Sequence, residues 1–169
     1  MTVPTSTVQE TFKEIEKKMG FVPNLLREMS ESLPTLLVYL NGQEALAKGA
    51  LTPKEQQAVQ LTVASVNGCH YCQAAHDWLG HKVGIPEEEI KAIRSGAPLQ
   101  GERLAGVVDA TRLVMEKRGW LTQDDLQGLE AKGVSKSRLY EIVAFVGLKT
   151  ISNYINHIAH TPVDAEFAR

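Results

Sequence analysis

A chain of 169 residues, 43% hydrophobic and 22% charged, is long enough to bury a core of its own and too apolar to remain disordered. Its formal net charge of −2, with acidic and basic residues interspersed, makes no case for binding nucleic acid or an anionic membrane surface. No apolar run approaches the ~18 residues of a membrane span, and residues 1–10 lack the charged-then-apolar pattern of a signal peptide, so a cytoplasmic protein is expected.

In chain order, Ser6 followed by Gln9 reads as a capping box, and Val8, Phe12, Ile15 and Met19 recur at helical spacing up to Gly20. Pro23 and Pro34 each fit the first turn of a further helix, the second carrying Leu36, Leu37, Leu40 and Leu46 towards Gly49. Thr52-Pro53-Lys54-Glu55 is a helix start, with Thr52 as N-cap and Glu55 reaching back to it, and Asn67-Gly68 ends that helix. The next begins at Cys69 and closes at Gly84. Pro86 opens a short one, with Glu87, Glu88 and Glu89 at its positive end and Gly96 after it. Apolar spacing predicts a helix over 102–118, and Thr122 caps another. Ser135 opens the last and longest, where Leu139, Ile142, Val143, Val146, Ile151, Tyr154, Ile155 and Ile158 form a stripe wide enough to be central to a core or an interface. The β-branched runs all carry helical spacing, so one all-α domain over residues 1–169 is expected.

Chemistry concentrates in Gly68-Cys69-His70-Tyr71-Cys72-Gln73-Ala74-Ala75-His76, which holds the only two cysteines. On a helix Cys69, Cys72 and His76 share one face, a thiol pair with a base one turn on. The free N–H groups at the helix start favour thiolate at Cys69. A c-type haem site requires histidine directly after the second cysteine, where Gln73 stands, and a thioredoxin-like site requires a preceding strand, where the segment is helical. Zinc would draw on Cys69, Cys72 and His76 with His70 or His81, yet a second ligand pair is missing, so neither metal nor cofactor is expected. An inert buried pair and a redox dithiol are left; α-carbons at this spacing lie about 5 Å apart, within reach of a disulfide. His81 reads as a solvated residue, His157 and His160 as cations at a helix C-terminus, and Trp78 and Trp120 as core or interface.

The run from Asn67 to His76 resembles the signature of the alkylhydroperoxidase D-like proteins of the carboxymuconolactone decarboxylase superfamily. Gly20-Phe21-Val22-Pro23-Asn24-Leu25-Leu26 and Leu51-Thr52-Pro53 are similar to its peroxidase-related members, and the match is strongest over about residues 20–85. The resemblance implies an all-helical, homo-oligomeric thiol peroxidase. Cys72 would attack an organic hydroperoxide and become a sulfenic acid, Cys69 would donate a proton and then resolve it to a Cys69–Cys72 disulfide, and His76 would join the proton relay. A dithiol, dihydrolipoamide-like in some relatives, would restore the thiols. Tyr71 stands where alkylhydroperoxidase D has a histidine, with His70 one place earlier, and Gln57 stands where the family has its relay glutamate, twelve residues before Cys69. Glu55 lies two residues from that position, about 200° around the helix. The alternatives are a carboxymuconolactone decarboxylase-like enzyme, which typically does not rely on a CxxC, and a non-enzymatic redox-sensing or zinc-stabilised helical protein.

Overall fold

The computed structural model describes residues 7–168. Within them run α1 (Val8–Met19), α2 (Asn24–Met29), α3 (Leu33–Leu46), α4 (Pro53–Val66), α5 (His70–Lys82), α6 (Glu87–Ser95), α7 (Glu102–Lys117), α8 (Gln123–Ala131) and α9 (Lys136–Ala159), then a 3-10 turn, Ala165–Phe167. No strand occurs among the described residues. The all-α expectation therefore holds, and helix boundaries fall within a residue or two of those read from caps and glycines.

One cap differs. Thr7 and Glu10, rather than Ser6 and Gln9, form the capping box of α1: the Thr7 hydroxyl accepts the Glu10 N–H, and the Glu10 carboxylate accepts the Thr7 N–H at 2.8 Å. A carboxylate at this position also gains from the positive helix end, which an amide does not. Ser6 lies outside the described residues.

The centre of the fold is α4, whose residues from Ala58 to Ala64 are all buried. It packs against α5, α6, α7 and α9. The long α9 also crosses α2, α3 and α7, so its stripe is shared between core and surface. Leu139, Ile142 and Phe145 are buried, while Val143, Tyr154 and Ile158 are exposed. Of the core and interface positions expected for Trp120, the core is excluded: it is 87% exposed, because the left-handed turn at Arg118 and Gly119 carries it off both flanking helices. No described helix is long and apolar enough to cross a membrane.

Glu55 closes the α4 capping box, with its carboxylate accepting the Thr52 N–H at 2.7 Å. That carboxylate also pairs with Arg138 from α9 and, at 2.8 Å, with Arg103 from α7. Burial opposes its charge, but the Arg103 and Thr52 hydrogen bonds outweigh this and hold its pKa at about 2. A depressed carboxylate stabilises the fold fully above its ordinary value of 4.5 and loses that contribution as pH falls towards 2. Glu55→Ala, which leaves the half-buried Arg138 without its anion and removes the α4 cap, is expected to cost ~3 kcal/mol at pH 7. Urea unfolding at pH 7 and pH 3 checks this, the wild-type advantage shrinking at the lower pH; equal midpoints at pH 7 would contradict it.

Residues 161–167 form a C-terminal strap that the sequence reading did not anticipate. Asp164 accepts the Asn24 N–H at the start of α2 (3.1 Å) and the Tyr71 hydroxyl of α5 (2.5 Å). Phe167 packs edge-on against Phe21, Tyr71 and Trp78. Trp78 thus joins the core, as expected.

Candidate active site

Between α4 and α5 the chain reverses at Gly68, whose φ of +66° is a left-handed conformation natural to glycine. The reversal leaves Cys69 as the N-cap of α5 and puts Cys72 in the first turn, both buried and both free thiols. Ala75 and His76 follow on the same side, and Cys72 and His76 line a cavity of about 200 Å³. Its walls are largely apolar, with Leu25 and Leu26 of α2, Tyr39 and Leu40 of α3, and Phe167 of the strap. Gln57 of α4 and Lys149 of α9 also line it.

The helix end alone would favour thiolate at either cysteine, but the surroundings discriminate. Cys69 donates its S–H to Cys72, which lowers the Cys72 pKa well below the usual thiol value despite burial. The Lys149 ammonium and the Asn156 and Asn153 amides add to the shift. The Asn156 Nδ2 lies 3.2 Å from the Cys72 Sγ and 3.9 Å from the Cys69 Sγ. Cys69 moves the other way, because its hydrogen bond to Cys72, its burial and the adjacent negative sulfur all keep it protonated. The thiolate preference read onto Cys69 from the helix dipole therefore belongs to Cys72. Both share the dipole, and the hydrogen bonds from α9 converge on Cys72.

His76 is fully enclosed, and burial, reinforced by Lys149, depresses its pKa and keeps the imidazole neutral. Its Nδ1 lies 2.8 Å from the Gln57 Oε1. With that oxygen as acceptor, Nδ1 carries the hydrogen and Nε2 is left as the base. Gln57 therefore holds the His76 ring through its amide oxygen.

The other expected supporting residues divide. Tyr71 contributes its ring to the cavity wall, but its hydroxyl is engaged, donating to Asp164 and accepting the Leu25 N–H at 3.2 Å. Burial and that donated hydrogen bond raise its pKa and keep the phenol neutral. His70 is exposed, pointing away from the thiols because it is the first residue of α5 after the N-cap. Glu55 belongs to the capping and arginine cluster described above, a different face of α4 from Gln57, as the angular offset requires. His81 is only one-fifth exposed, since α6 brings the Glu87 carboxylate within 2.8 Å of its Nε2. His157 and His160 lie exposed at the end of α9, as expected. Among the described residues no three His, Cys, Asp or Glu side chains converge as a metal site.

Lys149, Ser152, Asn153 and Asn156 of α9 are the site residues the sequence reading missed. All four are buried, and Asn67 reaches across to the Asn153 Oδ1 at 2.9 Å. A signal for them existed: Ile142, Phe145, Lys149, Ser152 and Asn156 recur every three or four residues, so the polar members continue the buried face of α9.

An all-helical bundle with a buried CxxC at a helix N-terminus and a histidine one turn on defines an alkylhydroperoxidase D-like class of fold. Residues 33–112 match the model of the Carboxymuconolactone decarboxylase family. Over that stretch the chain is similar to this family, and its fold is the all-helical alkylhydroperoxidase D-like one. An uncharacterized peroxidase-related protein from Silicibacter sp. TM1040 is 20% identical with a TM-score of 0.83, covering 98% of this chain and 90% of its own. An uncharacterized peroxidase-related protein with an alkylhydroperoxidase AhpD core, from Ralstonia eutropha JMP134, is 19% identical with a TM-score of 0.85, covering 95% and 86%. The debrominase Bmp8 shares the fold at 15% identity and a TM-score of 0.76, covering 95% and 87%. No curated protein matches the sequence.

Proposed function

We propose that the protein is a CxxC-dependent thiol peroxidase that reduces organic hydroperoxides, working in the cytoplasm. The observation that carries this reading is a thiolate-prone Cys72 facing a small apolar cavity while a protonated Cys69 donates a hydrogen bond to it. A sulfur nucleophile, a proton source and a place for an alkyl group are thereby assembled. The Cys72 thiolate attacks the hydroperoxide oxygen, the O–O bond breaks, and Cys72 becomes a sulfenic acid. Cys69 gives its proton to the departing alkoxide, which leaves as the alcohol. The resulting Cys69 thiolate attacks the sulfenic sulfur and expels hydroxide, which leaves as water on taking up from solvent the proton that Cys72 released by way of His76 Nε2 when it ionised, and the disulfide remains. A dithiol donor, dihydrolipoamide-like, reduces it back through thiol–disulfide exchange. The peroxidase-related names of two structural relatives are consistent with this chemistry.

Free-thiol counting and intact mass after one equivalent of cumene hydroperoxide test the reading. The expected result is loss of both thiols, a mass lower by two hydrogens and one equivalent of cumyl alcohol. Two thiols still reactive under native conditions would overturn it.

We also propose a homo-oligomer. Tyr140, Val143, Tyr154 and Ile158 leave an apolar strip of α9 exposed, more than a small monomer ordinarily presents. Light scattering at micromolar concentration is expected to give a multiple of 18.6 kDa, and a monomeric mass would refute this.

A further inference from the structure

Among the described residues Lys149 is the only lysine or arginine lining the cavity over Cys72, and no aspartate or glutamate lines it. Its side chain is 1% exposed, and no carboxylate lies within ion-pairing distance among the described residues. The ammonium lies 6.0 Å from the centre of the Tyr39 ring, and Cys72 and His76 line the same cavity. Burial works against its charge, and Tyr39 and the two thiols offset that burial. An enclosed ammonium costs several kcal/mol unless an anion faces it, and here the facing anion is the Cys72 thiolate.

That pairing lasts only while Cys72 is reduced. Conversion of the thiolate to a neutral disulfide sulfur removes the negative charge and leaves the lysine facing an apolar cavity alone. A carboxylate entering the reduced cavity would add a second negative charge beside one ammonium, whereas in the oxidised cavity it would restore neutrality. We propose that the cavity is a redox-gated anion site, admitting neutral apolar molecules when Cys72 is a thiolate and binding a small carboxylate with an apolar tail once the disulfide has formed. The ligand's carboxylate sits on Lys149, and its tail lies along Leu25, Leu26, Leu40 and Phe167. The proposal rests on the peroxidase reading for the disulfide, but the charge argument can be examined without it, because serine at position 72 also removes the thiolate.

Calorimetric titration with hexanoate at pH 7, with hexanamide as the neutral control, is the experiment. Hexanoate is expected to bind the peroxide-oxidised protein and Cys72→Ser at least ~10-fold more tightly than the dithiol-reduced wild type, while hexanamide does not distinguish them. Adding Lys149→Met, or Lys149→Gln where the first fails to fold, to Cys72→Ser is expected to abolish the preference for the anion. Equal hexanoate affinity in Cys72→Ser and the reduced wild type overturns the proposal, as does a preference that survives loss of Lys149. Peroxide-treated protein that keeps both thiols counts against the peroxidase reading instead, and Cys72→Ser still decides the anion site.

Discussion

Cys72→Ser is expected to lower peroxide reduction by on the order of 10⁴-fold or more, because a serine hydroxyl in the same pocket does not ionise near neutral pH and has no route to a sulfenic acid. Cys69→Ser is expected to behave differently. It still attacks peroxide once, since Asn156 and Lys149 continue to hold the Cys72 thiolate and the serine hydroxyl can replace the Cys69 hydrogen bond. With no partner sulfur, the sulfenic acid persists and is trapped by a dimedone-type probe. The pH profile follows from the direction of the shift. A thiol whose pKa is lowered is thiolate above that lowered value, so iodoacetamide modification of Cys72 in Cys69→Ser stays fast as pH falls through neutrality. A midpoint at the ordinary 9.0 would mean that α9 does not activate the sulfur. Equal sulfenic acid trapping in both variants would undo the division of roles while leaving the dithiol intact.

Gln57→Glu is expected to raise the rate of peroxide reduction at pH 7 by ~10- to 100-fold. The Gln57 amide accepts from His76 Nδ1 but cannot take up a proton, so in the proposed mechanism His76 would be an oriented but weakened base. A carboxylate at the same 2.8 Å contact would stabilise the imidazolium and strengthen Nε2 as an acceptor of protons. General acid–base contributions of about 10²–10⁴-fold set the ceiling, and the new charge also raises the Cys72 pKa, which is why the expected gain lies at or below the lower end. Stopped-flow rates across pH separate the effects: the base contribution lifts the plateau, and the charge moves its acid limb to higher pH. An unchanged rate and profile would place proton transfer outside the Gln57–His76 pair.

The sequence by itself determined the helices and the thiol pair, because both depend on residues close together in the chain. Thr52 and Glu55 cap α4, Gly68 turns the chain, and Cys69, Cys72 and His76 share a face through helical spacing alone. Gln57 was legible only through the family resemblance, which places a relay residue twelve positions before Cys69. Which sulfur ionises was not legible from helix geometry, because both cysteines sit at the same dipole end. That choice rests on Asn156, Asn153 and Lys149, more than seventy residues away and brought in by packing of α9. The same long-range packing turned Glu55 outward to Arg103 and Arg138 and laid the strap over α5, seating Asp164 on Tyr71 and Phe167 in the cavity wall. Hydrogen bonds to a thiolate and the desolvation of a lysine depend on distances between remote segments, and only the tertiary structure decides those.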